Sequence, residues 1–297
     1  MRYKKSNFFL TYFFISLLFY FKVSAVLLLG FSYNRPLQLW AHLESLEEFV
    51  SGLTEICIIY KADNNDYEEA YAKVKKRFPS VLFIRQSIEP HVKDFKEKIL
   101  FVLYKSLNKY VLFSVDDIFV KAPLDLTICK NALQDTNAYG FYLRLGKNID
   151  SSYMHKKHYK LPSFKQINKN ILMWEFSNSC YDWSYSNTVD MTLYRKEDVL
   201  NMILCLTFNT PNIFESKWAK LKPLNKYGLC FEQSKIINVP LNSVQTDWTN
   251  KNMNYLSAEK LLIYFNQGLR INRGPLTIIK NRSAHMSWKP NFLKIKK

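Results

Sequence analysis

Tyr110–Val120 reads YVLFSVDDIFV, an unbroken apolar run that meets two adjacent carboxylates, Asp116 and Asp117, and turns apolar again at Ile118–Val120. A continuous run, rather than an alternating one, marks a strand buried on both faces, as in a parallel sheet covered by helices on either side. Working back toward the N-terminus, the same pattern recurs. VLLLGF at 26–31, EICIIY at 55–60 and VLFI at 81–84 are three more continuous strands. Between them Leu37–Val50 places Leu37, Trp40, Leu43, Leu46 and Phe49 along one side of a helix, and Asn65–Phe78 reads as a helix with a polar face. Asp94–Leu107 reads as a further helix before the Tyr110 strand. Strands alternating with helices predict an α/β fold on a single mixed, mostly parallel sheet flanked by helices. Beyond Leu124 the rhythm becomes irregular, with aromatic and polar loops through Tyr153–Asn187, a helix at Arg195–Leu206 and a last helix near Ala258–Gly268.

Composition narrows the class. The 297 residues carry a formal charge of +17, and 48% are hydrophobic, enough apolar material for a folded core despite the charge. Seven Gly and ten Pro provide no flexible linker and no Gly-rich phosphate loop, and no repeat period is present. The five cysteines, Cys57, Cys129, Cys180, Cys205 and Cys230, are odd in number and form no CxxC pair, so neither a disulfide framework nor a zinc site is expected, and all five read as core. Lys73, Lys75, Lys76 and Arg77, and separately Lys156 and Lys157, are basic clusters without a helix-turn-helix, RNP or zinc-finger signature, so nucleic acid is not an expected partner.

The ends of the strands carry the polar residues. In open α/β sheets ligands gather at the carboxyl ends of the strands, where a loop opening a helix offers free N–H groups to an anion. Phe31-Ser32-Tyr33-Asn34-Arg35-Pro36 follows the first strand and Lys61-Ala62-Asp63-Asn64 the second. Asp116 and Asp117 end the fourth, and two negative charges beside buried apolar residues cost free energy unless a cation or donor offsets them. A divalent metal, Mn²⁺ or Mg²⁺, is the expected offset, with diphosphate oxygens completing its shell.

In this order and spacing, over roughly Val26–Lys121, the sequence resembles the glycosyltransferases of the A-type fold, especially the family-two group that uses nucleotide-diphosphate sugars. The SYNRP loop matches that family's first-strand loop, Asp63 its acidic base-binding segment, and Val115-Asp116-Asp117 its metal-binding D-x-D. Ser114 and Val115 stand where a further acidic residue often sits, so the acidic motif is a reduced one. The likeness continues through Phe141–Ile149, Tyr181-Asp182-Trp183, Val189-Asp190 and Pro211–Glu215, segments that look like the acceptor side of bacterial members.

The resemblance implies a Rossmann-like chain in three parts: an N-terminal apolar segment over 1–24, a nucleotide-sugar-binding half over 25–123 and an acceptor-binding half over 124–297. It implies an inverting, metal-dependent, hexosyltransferase-like enzyme acting on a glycan or lipid-linked acceptor, as in polysaccharide biosynthesis. Donor-binding residues would be Ser32, Tyr33, Asn34, Arg35, Asp63, Asp116 and Arg144. Metal ligands would be Asp116, Asp117 and a late His285. The acceptor hydroxyl would be deprotonated by Asp190 or Glu215, between which the sequence does not choose. Trp183, flanked by Asp182 and Asp190, would offer its face to the acceptor sugar, whereas Trp174, Trp218 and Trp248 read as core. Two readings compete with this one: an inactive relative that binds carbohydrate, and a metal-dependent nucleotidyltransferase, which would normally show a Gly-rich loop.

Arg2, Lys4 and Lys5 precede the apolar run Phe8–Phe21, shorter than the ~20 residues a bilayer-spanning helix needs. With the basic charge, this predicts a cytoplasmic protein in contact with the inner face of the membrane, in preference to a cleaved signal or an anchor with the domain outside, two readings the same residues also allow.

Overall fold

The computed structural model describes residues 26–89, 91–223, 225–244 and 256–294, so the apolar segment over 1–24 and Trp248 lie outside the described residues. The four expected strands form: β1 (Val26–Tyr33), β2 (Leu53–Lys61), β3 (Leu82–Arg85) and β4 (Tyr110–Val115). They lie in the order β4-β1-β2-β3, every pair parallel. Their continuous apolar runs are explained by period two. In β1, Val26 and Leu28 point to one face with Ile58, Tyr60, Tyr110 and Leu112; Leu27, Leu29 and Phe31 point to the other with Cys57, Ile59, Val111 and Phe113. Both faces are therefore core, and each such side chain contributes about 1.5–3 kcal/mol on burial.

Helices cover the two faces. Over the first lie α1 (Pro36–Phe49), entered through Pro36 at its first turn, and α2 (Asn65–Arg77), capped by the Asn64 side chain accepting from Tyr67 N–H. Over the second lies α3 (Phe95–Lys105), which sets Phe95, Ile99, Val102 and Leu103 into the sheet. After β4 the chain leaves the sheet at Asp116-Asp117, and β5 (Ile118–Val120) pairs with a later strand instead.

Past Leu124 the apparent irregularity resolves into short elements. Helix α4 (Leu126–Gln134) leads to β6 (Gly140–Tyr142), β7 (Lys165–Asn168), β8 (Ile171–Glu175), β9 (Thr192–Arg195) and β10 (Tyr227–Phe231), and β11 (Ile236–Asn238) is the partner of β5. All but β11 join the same sheet, whose full order is β7-β8-β10-β6-β9-β4-β1-β2-β3. One mixed α/β sheet thus runs through the chain, parallel from β4 to β3 and mixed beyond. Helix α5 (Lys196–Leu204) and helix α6 (Pro211–Trp218) pack Val199, Ile203, Phe214 and Trp218 onto the α3 face, and α7 (Ala258–Asn266) adds Leu261, Leu262 and Phe265 to the α1 face. Cys57, Cys129 and Cys230 are core as expected; Cys180 and Cys205 are instead exposed, because each sits in a loop rather than an element. No helix among the described residues is long and apolar enough to cross a membrane.

Candidate active site

A cleft of about 720 Å³ opens at the carboxyl ends of β1, β2 and β4. Ser32, Tyr33, Arg35, Asp116 and Asp117 line it from the first half of the chain; Arg144, Asp190, Glu215 and His285 line it from the second. These residues span most of the chain, and the topology that joins them is the one just described. Asp116 and Asp117 sit where β4 ends. Asp190 precedes β9, the antiparallel neighbour of β4.

In the first group, Arg35 binds both acids through Nη1, at 3.0 Å to Asp116 Oδ1 and 3.1 Å to Asp117 Oδ2, and its Nη2 donates to the Asn242 carbonyl. Both carboxylates are buried. Burial pushes Asp116 up to about 6, opposed by Arg35 and reinforced by Asp117; burial also raises Asp117, with Arg35 opposing. A single guanidinium undercompensates two buried acids. Asn34, at φ 52°, turns the loop in the left-handed region that Asn tolerates, and its side chain clasps Asp63: Nδ2 donates to Asp63 Oδ2 at 2.9 Å, and Asp63 N–H donates back at 3.1 Å. Tyr33 Oη donates to the same carboxylate. Ser32 shares a 2.7 Å hydrogen bond with Tyr71 Oη. Asn34 and Asp63 thus hold the loop in shape, while Ser32, Tyr33 and Arg35 meet the cleft.

In the second group, His285 Nε2 lies 3.0 Å from Asp190 Oδ2, and Asn238 Nδ2 donates to Asp190 Oδ1 at 3.2 Å. Burial works against the charge on Asp190, but the His285 hydrogen bond and charge outweigh it and hold the carboxyl below its usual range. The reciprocal effect prevails over burial at His285 and pushes the imidazole up to about 9. Glu215 differs. Its Oε1 accepts from Thr188 Oγ1 at 2.7 Å and Val189 N–H at 2.9 Å, and its Oε2 has no hydrogen-bond partner among the described residues. Burial and the nearby Asp190 push Glu215 up to about 7. The capped start of α6, where Thr210 accepts from Ile213 N–H, aims this side chain back at the 188–190 turn.

No protein-family model and no curated protein matches the chain. Among solved structures, it is similar to S. aureus TarS 1–349 (11% identity over 71% of this chain and 58% of that one, TM-score 0.43). It is also similar to GalNAc-T7 with UDP, GalNAc and Mn²⁺ (10% identity, 73% of this chain and 44% of that one, TM-score 0.46). A third is the mannosyltransferase PcManGT from Pyrobaculum calidifontis in complex with GDP-Man and Mn²⁺ (8% identity, 76% and 64%, TM-score 0.42). The matched region spans less than two thirds of each of those chains.

Besides Asn34 and Asp63, which hold the loop rather than line the cleft, Trp183 and Arg144 are placed differently from expectation. Trp183 is completely buried, with Nε1–H donating to the Ile149 carbonyl at 2.9 Å and its ring edge-on to Trp174, so it offers no face to a sugar. The short 3₁₀ turn Tyr181–Trp183 points it inward. Arg144 borders the cleft, but its guanidinium is committed to protein: Nη1 to Asp182 Oδ1 at 2.9 Å, Nη2 to the Asp182 and Tyr185 carbonyls. Its charge reaches the cleft; its donors, apart from an unpartnered Nε, do not.

The donor set fits a divalent cation in part. Asp117 Oδ1 is a buried carboxylate oxygen with no hydrogen-bond donor, and the rise at both acids reports unmet demand for positive charge. A hard cation takes oxygen ligands of this kind. His285 does not join them, because Asp190 holds its Nε2, and no cluster of three or more His, Cys, Asp or Glu among the described residues is placed to hold an ion. Asn238, Asn242, Thr188 and Tyr71 complete the site, yet nothing in their local sequence marks them. Only the antiparallel β5–β11 pairing brings Asn238 beside the acids, where the following Val239 N–H donates to the Asp117 carbonyl at 2.8 Å.

Proposed function

We propose that the protein is an inverting glycosyltransferase that moves a sugar from a nucleoside-diphosphate donor to an acceptor hydroxyl. The observation that carries this reading is one cleft that gathers two chemically distinct groups. Arg35 and the Asp116–Asp117 pair stand at the strand ends, where the resemblance puts the diphosphate; the same cleft is lined by Glu215, a carboxylate whose proton affinity sits near neutrality. Asp116 and Asp117 would hold Mn²⁺ or Mg²⁺ through the Asp117 oxygen left without a donor. Such an ion neutralises the negative charge that gathers on a departing diphosphate.

Glu215 is the better base of the two candidates. A general base works best with a pKa close to the operating pH and a free lone pair within hydrogen-bond reach of the acceptor hydroxyl. A value near 7 and an Oε2 without a partner among the described residues support Glu215. Asp190 has both oxygens engaged and a lowered proton affinity, so its part is to position His285 and raise Glu215. In one displacement Glu215 takes the hydroxyl proton, the acceptor oxygen bonds to the anomeric carbon, and the bond from that carbon to the diphosphate oxygen breaks. Arg35 and Lys61 line the same cleft and would supply positive charge to the departing nucleoside diphosphate.

The test is a thermal-shift screen against UDP, GDP, CMP and dTDP, each with and without Mn²⁺, since selective binding raises the melting temperature by mass action. A metal-dependent rise with one of them, lost in Asp117→Asn, is the expected outcome. No rise with any of them would overturn the donor assignment.

A further inference from the structure

Beside the cleft runs a second groove of about 470 Å³. One wall is a small antiparallel ribbon in which Ser151–Ser152 pairs with Lys157–His158; the other is the segment from Lys280 to Met286. The ribbon is tied to that segment at the backbone, with Asp150 and Ser151 N–H both donating to the Arg282 carbonyl at 3.0 Å. Its own ends are tied together where Tyr159 N–H donates to the Asp150 carbonyl at 2.9 Å.

The charge of this groove is one-sided. Lys156, Lys157, Lys280 and Arg282 line it, and no carboxylate does. Arg282 is neutralised by a two-point pair with Asp150. Lys156, Lys157 and Lys280 are exposed and have no ion pair among the described residues. Three unneutralised ammonium groups around one concavity repel each other, and an anion is the ligand that relieves them. Ser283 stands among them, its Oγ accepting from Tyr153 N–H and keeping its hydroxyl proton to donate, whereas Ser151 and Asn281 already donate to the Arg282 and Ser283 carbonyls.

The groove also continues the cleft. Ser152, Tyr153 and His285 line both, and His285 is the partner of Asp190 beside Glu215. A molecule seated in the groove therefore meets the cleft at His285, next to Asp190.

We propose that this groove binds phosphate or phosphodiester groups carried by the acceptor, so that the molecule receiving the sugar is anionic rather than a neutral glycan. The proposal rests on the glycosyl-transfer reading for the word acceptor, and on the geometry of the groove alone for the anion.

The test measures binding rather than turnover. Fluorescently labelled glycerol-phosphate oligomer, neutral maltohexaose and phosphatidylglycerol vesicles are titrated into three full-length proteins: wild type, K156Q/K157Q/K280Q, and K76Q/K105Q/K109Q, which removes the same charge from exposed positions elsewhere. The groove variant is expected to bind the phosphate probe about tenfold more weakly than wild type, with a shallower salt dependence. The control variant should bind it like wild type, and maltohexaose should bind none of them tightly. Groove-dependent binding of the oligomer identifies phosphates along a chain as the source; groove-dependent binding of the vesicles identifies a lipid headgroup. Equal losses in both variants would overturn the proposal, since binding would then follow net charge alone. So would displacement of the oligomer by a nucleoside diphosphate, which would place it in the donor cleft. If no nucleoside diphosphate binds while the oligomer still binds through the three lysines, glycosyl transfer falls and the anion groove stands.

Discussion

Glu215, Asp190 and His285 form a chain of charges in which each sets the proton affinity of the next. If Glu215 is the base, kcat/KM should rise with pH through about 7, because the carboxyl must lose its proton before it can accept another. Asp190→Asn removes a negative neighbour and should move that limb to lower pH. Glu215→Gln should lower kcat by about 10²–10⁴-fold with nucleoside-diphosphate affinity unchanged. Pre-steady-state turnover and the thermal shift, measured on the same preparations, separate the two effects. His285 gives a stability signature of its own. Its folded value of about 9 lies above the ordinary 6.5, so its contribution is fully present below 6.5 and is lost as the pH rises through about 9. Melting temperature followed from pH 6 to 10 should therefore fall more steeply in wild type than in His285→Gln, and equal slopes would refute the ion pair. These three side chains could be named as candidates from the sequence, but their roles could not. Which carboxylate keeps a free oxygen depends on Thr188, Val189 and Asn238, contacts that depend on packing rather than on any motif.

Elements decide where those side chains point, and here legibility divides along the chain. The strands at Val26, Leu53 and Tyr110 were readable because burial on both faces leaves an unbroken apolar run, and helices α1, α2 and α3 because their apolar spacing persists for several turns. The strands of the second half were not. At three to five residues, β6, β8, β9 and β10 are too short to show a period, and their identity comes from neighbours far away in sequence. Trp183 was misplaced for a related reason: an aromatic between two acids reads as a platform, whereas a 3₁₀ turn folds it into the core against Trp174. One contact in this region is tight enough to test. Gly146 follows β6 so closely on the Gln233–Ser234 backbone that a Cβ would lie 2.5 Å from Ser234 N and 2.7 Å from Gln233 C. Backbone on both sides cannot rotate away, so Gly146→Ala should cost about 1–3 kcal/mol in chemical denaturation. It should also disturb Arg144 two residues earlier, and with it the Asp182 contact.

For the whole molecule, a charge of +17 surrounds a cleft and a groove whose proposed ligands are both anionic. Long-range attraction of this kind is screened as salt shortens the Debye length from about 10 Å at 0.1 M to about 3 Å at 1 M. Raising ionic strength should therefore raise the KM for a charged donor while leaving kcat nearly unchanged, and a salt-independent KM would show that the excess charge acts elsewhere. The continuous sheet adds a constraint, since β4 pairs on one edge with β1 and on the other with β9. Asp116–Asp117 and Asp190 are thereby fixed to one scaffold. The ribbon at 151–158 lies outside that sheet, and its closure has a practical meaning. Because Tyr159 and Asp150 meet through the backbone, the segment enters and leaves the body at one point and contributes no strand to the sheet. It has the anatomy of a cassette. If the groove seats the acceptor as proposed, chimeras carrying ribbons of other lengths and charges on the same body should exchange one acceptor preference for another while nucleoside-diphosphate binding is inherited intact.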